Sequence, residues 1–208
     1  MYHILKSDLN GLSESDDFLS PLIIQIAAQM VLSGRRSITR NDLVKLEDWT
    51  EYGIPPVRVI NLLVKEGLLH NSTYDENEHY FFAYDQMNDY YCAKAILNMF
   101  KEKKIVREYL ANHVLKIENG ELRNSGNIDL FVNACALYAK KCGEECIDII
   151  DSLQDGYDQL EVFSRYTNSF QWRNVDSINK ELFYSLMNAA PKIFGRCSLE
   201  IVLRFIIR

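Results

Sequence analysis

The sequence predicts a mainly α-helical chain, in which three helices closed by a β-hairpin precede an array of further helices. Three observations carry this. Apolar residues recur at three- and four-residue spacing along most of the chain. One stretch, "LLHNSTYDENEHYFFAY" (68–84), reads instead as two strand-like runs about a polar tip. And only 4 Pro and 9 Gly occur in 208 residues, which argues for helices with short connections.

Residues 1–17 form a lead-in segment that ends in the acidic "SESDD". A first helix follows from Phe18, with Ser20 able to cap it, Pro21 at the first helical position, and Leu22, Ile26 and Met30 on one face. "SGRRS" breaks it. Thr39 caps a second helix, with Asp42 three residues on as a relative of the capping box, and with Leu43, Leu46 and Trp49 apolar. "EYGIPP" turns the chain, and Pro55 or Pro56 opens a third helix with Val59, Leu62 and Leu63 inward, stopped by Gly67. Strands are expected at 68–73 and 79–84, with "YDENE" as the tip between them. Three helices followed by a hairpin is the winged-helix arrangement, so 18–84 is expected to be a winged-helix domain with the hairpin as its wing. No strand is expected after Tyr84. Helices are predicted at 85–103, 105–117, 128–142, 144–153, 157–167, 175–189 and 197–208, making 85–208 a repeat-like, solenoid-like domain of antiparallel pairs. The final "SLEIVLRFIIR" has neither a Gly stop nor a polar tail, and the expectation is a piece of a longer protein.

Composition narrows the function classes. With 48% hydrophobic and 25% charged residues the chain is ordinary globular material. Its net charge is −6, and both halves are acidic when it is divided after Lys104, which argues against a basic nucleic-acid-binding module. No apolar run approaches the roughly 18 residues of a membrane span, and "MYHILKSDLNGL" lacks the core of a secretory signal. Five cysteines, an odd number set mostly in helical patterns, suit reduced thiols in the cytoplasm.

The stretch "YFFAYDQMNDYYCAKAIL" (80–97) passes from strand to helix with almost nothing between. Tyr80, Phe82 and Tyr84 alternate, giving the last strand one aromatic face. Tyr90, Ala93 and Leu97 follow at helical spacing, Met87 and Tyr91 lie one turn apart, and the small Ala93 and Ala95 let another element approach closely. The physical expectation is a junction without a flexible linker, so that wing and helix move as one body.

Other constellations carry less. Cys142 and Cys146 are four residues apart with Cys135 one heptad earlier, but Gly143 intervenes and no His is near, so metal is not expected. Of His3, His70, His79 and His113, the middle two flank the hairpin and are expected to face each other across it. Asp148, Asp151, Asp155 and Asp158 would form one acidic stripe on a helix, a solvated face. For DNA contact, the third helix of a winged helix offers Arg58, Asn61 and Lys65, and the loop before the second adds Arg35, Arg36 and Arg40. The "DENE" tip would repel phosphates, so a DNA-binding transcription regulator with a helical effector domain is the alternative, not the leading reading.

The pattern across 18–100 resembles the STAND and NACHT class of signalling NTPases, at the end of their winged-helix domain and the start of their sensor repeats. "IIQIAAQMVLSGRRSITRNDL" and "VRVINLLVKEGLLHNSTYDENEHYFFAY" resemble its two winged-helix segments. Phe82, Met87, Asp89, Tyr90, Ala93 and Leu97 stand at the positions of the family's aromatic, bulky, acidic, aromatic, Ala and Leu residues. Tyr84 stands where the family usually has His. The phosphate-binding G-x-x-x-x-G-K-[ST] loop is missing, so no cofactor site and no catalysis are expected here. What the resemblance implies is a non-enzymatic relay: an upstream NTPase domain of the same protein would bind ATP or ADP with Mg, and a protein ligand or other trigger would act at the helical array, in prokaryotic antiviral defence.

Overall fold

The computed structural model describes residues 19–46, 56–74 and 76–168. The lead-in segment, Trp49 and the helices expected at 175–189 and 197–208 lie outside the described residues. The chain is mainly helical with a small β-sheet region near its N-terminus. It divides into two compact units, Met1–Met99 and Phe100–Arg208.

In the first unit, helix α1 (Leu19–Ser33) begins one residue before Ser20, so Ser20 and Pro21 sit inside its first turn, where the missing proline N–H has no intrahelical partner to lose. Leu22, Ile26 and Met30 are buried as their spacing requires. Gly34 then takes φ +64°, while Arg35 N–H donates to Met30 C=O and Gly34 N–H to Val31 C=O, each at 3.1 Å, a left-handed helix stop that satisfies the last carbonyls. Strand β1 (Ile38–Thr39) follows, a pairing of two residues that the sequence pattern is too short to reveal. Helix α2 (Arg40–Val44) is capped by Thr39: its Oγ1 accepts from Asp42 N–H at 3.2 Å and donates to Asp42 Oδ2 at 2.7 Å. Helix α3 (Pro56–Lys65) buries Val59, Ile60 and Leu63 and is stopped by Gly67 at φ +68°, with the same pair of terminal hydrogen bonds as α1.

The hairpin is shifted toward its tip relative to the expectation. Strands β2 (Leu69–Tyr74) and β3 (Asn77–Phe82) include Tyr74, Asn77 and Glu78, which the "YDENE" reading assigned to the turn. Their side chains join the ladder without losing water or partners: Tyr74 and Asn77 are exposed, and half-buried Glu78 accepts from Asn71 and pairs with Arg40. β1 pairs with the other side of β3, giving one antiparallel sheet in the order β1-β3-β2. Helix α4 (Asp85–Met99) starts two residues after β3 and ends four residues short of the expected 103. It packs along α1, where Ala27, Ala93 and Ala95 are fully buried and permit close approach of the two backbones.

In the second unit, helix α5 (Lys103–Tyr109) continues into a π-helical turn, Leu110–Leu115. A small hairpin of β4 (Ile117–Glu118) and β5 (Glu121–Leu122) follows, against the expectation of no strand after Tyr84. "ENGEL" can pair because Asn119 and Gly120 both adopt positive φ, the requirement of a two-residue hairpin turn. Helix α6 (Ile128–Cys142) has the predicted bounds and stops at Gly143, φ +70°. Helix α7 (Ile147–Asp151) is shorter than expected, and helix α8 (Gly156–Asn168) closes the described chain. Phe131, Tyr138, Ile150, Leu153 and Tyr166 form the heart of this unit's core. Burying each such side chain contributes about 1.5–3 kcal/mol against solvent.

Candidate functional site

The most unusual chemistry in the first unit lies where the chain leaves the sheet. Asp89, on the α1-facing side of α4, keeps 6% of its side chain exposed. A carboxylate so placed must find partners, because an unpaired buried charge is expensive. Arg36, in the loop between α1 and β1, supplies one: Nη2 donates to Asp89 Oδ1 at 2.5 Å, while Nη1 donates to exposed Asp85 at 3.2 Å. Asp85 and Asp89 are one helical turn apart, which is why one guanidinium fork can hold both. Asn88 is also buried and donates weakly to Asp89 Oδ1 at 3.4 Å. Cys92, one turn further, lies within sulfur hydrogen-bond range of Asn88 Oδ1 and of Ala27 C=O on α1. Burial, reinforced by the nearby Asp89 charge, pushes the Cys92 thiol up to about 12. Loop, α1 and α4 are therefore joined by a polar seam inside an otherwise apolar contact.

The predicted junction residues are spread along this seam. Phe82 is buried and stacks on Tyr91 at 5.7 Å between centroids. Ala93 and Leu97 are buried, and Met87 is half-buried. Tyr90 is exposed, edge-on to Tyr91 and with Lys94 Nζ 5.4 Å from its ring. Tyr84 does not continue the aromatic face: β3 ends at Phe82, and Tyr84 is 62% exposed.

A second cluster lies on the sheet. His79 is buried under Tyr74, the rings stacked at 3.7 Å, and Ser37 Oγ lies 3.1 Å from Tyr74 Oη and 3.4 Å from His79 Nδ1. His70 and His79 do not face each other: the register pairs His79 with Ser72 and His70 with Phe81, which puts the two imidazoles two positions apart along the ladder.

The alternative DNA-contacting residues are differently occupied. Arg36 is held by Asp85 and Asp89, and Arg40 pairs with Glu78 at 3.0 Å. The hydrogen bond from Asn71, outweighing a small burial cost and joined by Arg40, holds the Glu78 carboxyl below its usual range. Arg35 and Arg58 are exposed, and Lys65, also exposed, is 4.0 Å from Glu66.

In the second unit, Lys103 and Arg107 are one turn apart on α5 and meet Glu144 and Asp148, which are likewise four residues apart. Arg107 also donates to Glu145 C=O at 3.0 Å. Burial opposes the Arg107 charge, but the hydrogen bond and attraction of Asp148 more than offset it and raise its pKa. The acidic stripe predicted from 148 to 158 does not exist, because the helix breaks within it. Asp148 and Asp151 are on α7, Asp155 caps α8 by accepting from Tyr157 and Asp158 N–H, and Asp158 accepts from Leu122 N–H at 3.2 Å. Among the described residues no group of His, Cys, Asp and Glu is placed to hold a metal ion, the buried Cys135 and Cys146 and the half-buried Cys142 included. Among the same residues no helix is long and apolar enough to cross a membrane.

The sequence reading missed Asn88, Cys92 and the Arg36 contact. The signal was there: Asp89 stands one helical turn before Cys92 and Ala93, on a small-residue face fit for close packing, where a carboxylate needs a cation. It likewise missed the matched four-residue spacing of Lys103/Arg107 and Glu144/Asp148.

Comparison of the chain with family models, curated proteins and solved structures finds no match.

Proposed function

We propose that the chain is the relay segment of a STAND-type, NACHT-like NTPase, a winged-helix domain followed by the first helices of a solenoid-like sensor array. The observation that carries the reading is the order of elements in the first unit. Helix, short strand, two helices and a hairpin, with sheet order β1-β3-β2, lead within two residues into a helix that the Arg36–Asp89 pair fastens to the loop between α1 and β1. Such a junction carries a displacement of the hairpin into α4 with little slack. In the parent protein, ATP or ADP with Mg would sit in an upstream domain of the same chain, and a protein ligand or other trigger would act on the helical array, in the cytoplasm and in antiviral defence. Switching requires that the trigger bind two arrangements with different affinity. This chain carries no phosphate-binding loop, and we assign it no hydrolysis.

The test is to insert a flexible Gly-Ser linker after Tyr84 in the parent. The expected result is nucleotide turnover that no longer responds to the trigger, and turnover that responds normally would sink the junction mechanism. Reading the gene on both sides tests the family: an open frame through an upstream phosphate-binding loop is expected. The alternative, a DNA-binding regulator, would rest on Arg35, Arg58 and Lys65, since Arg36 and Arg40 are engaged within the chain. A salt-dependent shift of duplex DNA by the chain would favour it.

A further inference from the structure

Among the described residues the outer side of the three-stranded sheet is open. β2 is its last strand, and His70 to Tyr74 are exposed. Pairing with β3 runs in unbroken register from Leu69–Phe82 to Tyr74–Asn77, so no bulge twists the edge away. Between His70 and Tyr74 the strand has no Lys, Arg, Asp, Glu or Pro, the residues with which proteins commonly blunt such an edge.

The ladder also fixes which backbone groups face outward. In an antiparallel pair, alternate residues bond the neighbouring strand. Ala83 N–H donates to Leu68 C=O at 3.0 Å, which places His70, Ser72 and Tyr74 at the positions bonded to β3. The N–H and C=O groups of Asn71 and Thr73 therefore point away from the sheet.

We propose that this edge joins two copies of the chain by antiparallel pairing of β2 with β2, centred on Ser72. In that register Asn71 of one copy lies opposite Thr73 of the other, and each such pair exchanges N–H and C=O in both directions. Ser72 meets its own copy at the close, non-bonded position. His70 meets the exposed flank of Tyr74, an aromatic cross-strand pair of the kind that stabilises sheets. No charge opposes a like charge, although the chain as a whole is acidic. A second copy is favoured over a foreign peptide because the edge is self-complementary, whereas an uncharged strand offers a charged peptide no partner for its charge. The contact is small, below the roughly 1,200 Å² of a stable interface, so the dimer is weak and concentration-dependent.

Sedimentation velocity of the full chain over a concentration series tests it, with Ser72→Glu, Ser72→Lys and an equimolar mixture of the two. Ser72 is exposed, so both variants should keep the wild-type circular dichroism. The expected result is a monomer–dimer shift for wild type, monomers for each variant alone, and restored dimer in the mixture. A wild-type chain that stays monomeric throughout, variants that dimerise as wild type does, or a mixture that stays monomeric would each overturn the proposal.

Discussion

Both units fasten helices with a cation set between two carboxylates or against a matched pair, but at opposite degrees of burial. In the first, Asp89 is 6% exposed and its guanidinium partner 45%. In the second, Lys103 and Glu144 are each about half exposed, and Asp148 is 62% exposed. The lesson is that a similar distance means different things. A surface pair is replaced by water when broken and contributes about 0–1 kcal/mol. A buried carboxylate has no such substitute, so its pair specifies which elements meet even if its net contribution is small.

The strongest way to break this contrast is Arg36→Met. It leaves Asp89 without its guanidinium, and the expected loss is about 3 kcal/mol of unfolding free energy in a urea titration. The double variant Arg36→Met/Asp89→Leu should recover most of that loss, because the buried charge goes with its partner. A single variant within error of wild type would mean that Asp89 is adequately served by its other neighbours.

Cys92 sharpens the comparison through pH. Its thiol is pushed from an ordinary value of 9.0 up to about 12 by burial. Below about pH 9 it is neutral in both folded and unfolded chains and adds no pH dependence. Above that, the unfolded chain ionises first, so stability is lost at about 1.4 kcal/mol per pH unit until the folded pKa is reached. Cys92→Ala should flatten that alkaline limb. Equal limbs for wild type and Cys92→Ala in denaturant titrations at pH 9 to 10 would contradict the burial argument.

A smaller effect is expected at Gly120. It holds φ +81°, and a Cβ there would come within 2.5 Å of Gln154 Cγ. Gln154 N–H also donates to Gly120 C=O at 2.8 Å, so the β4–β5 turn and the α7–α8 connection are fixed to each other. Gly120→Ala should cost at least about 1 kcal/mol, with faster hydrogen exchange confined to 117–122 and 152–158. Unchanged exchange there would show that the turn relaxes freely.

How far the sequence reached follows from the range of each interaction. The helix stops at Gly34, Gly67 and Gly143, the Thr39–Asp42 cap and the bounds of α6 were legible because a few adjacent residues decide them. The two-residue strand β1 was not, since its reason is the free side of β3, some forty positions later. Nor was the breakup of the 148–158 stripe, where Asp155 is a cap and Asp158 serves Leu122, because three-to-four spacing alone cannot tell one helix from two. In the junction the small-residue face of α4 was legible as a contact. The charge of Arg36 alone suits a phosphate as well as a carboxylate, and only folding puts it beside Asp89.

The weakest expected effect is Lys103→Met, and it tests the other end of the comparison. Lys103 Nζ lies 2.5 Å from Glu144 Oε1, among the shorter ion pairs of the described residues, and that hydrogen bond holds the Glu144 carboxyl below its usual range. Read by distance alone, this pair should matter as much as Arg36–Asp89. Read by burial, it should not, since both groups are open to water and long side chains lose rotamer freedom on pairing. Because the Glu144 pKa is depressed in the folded chain, whatever stability the pair gives is present above the unfolded glutamate range and vanishes as pH falls through the folded value. Lys103→Met should therefore be indistinguishable from wild type at acid pH, and differ at neutral pH only slightly and only in low salt. A loss at neutral pH that rivals Arg36→Met and survives high salt would show that geometry, not burial, ranks the ion pairs of this protein.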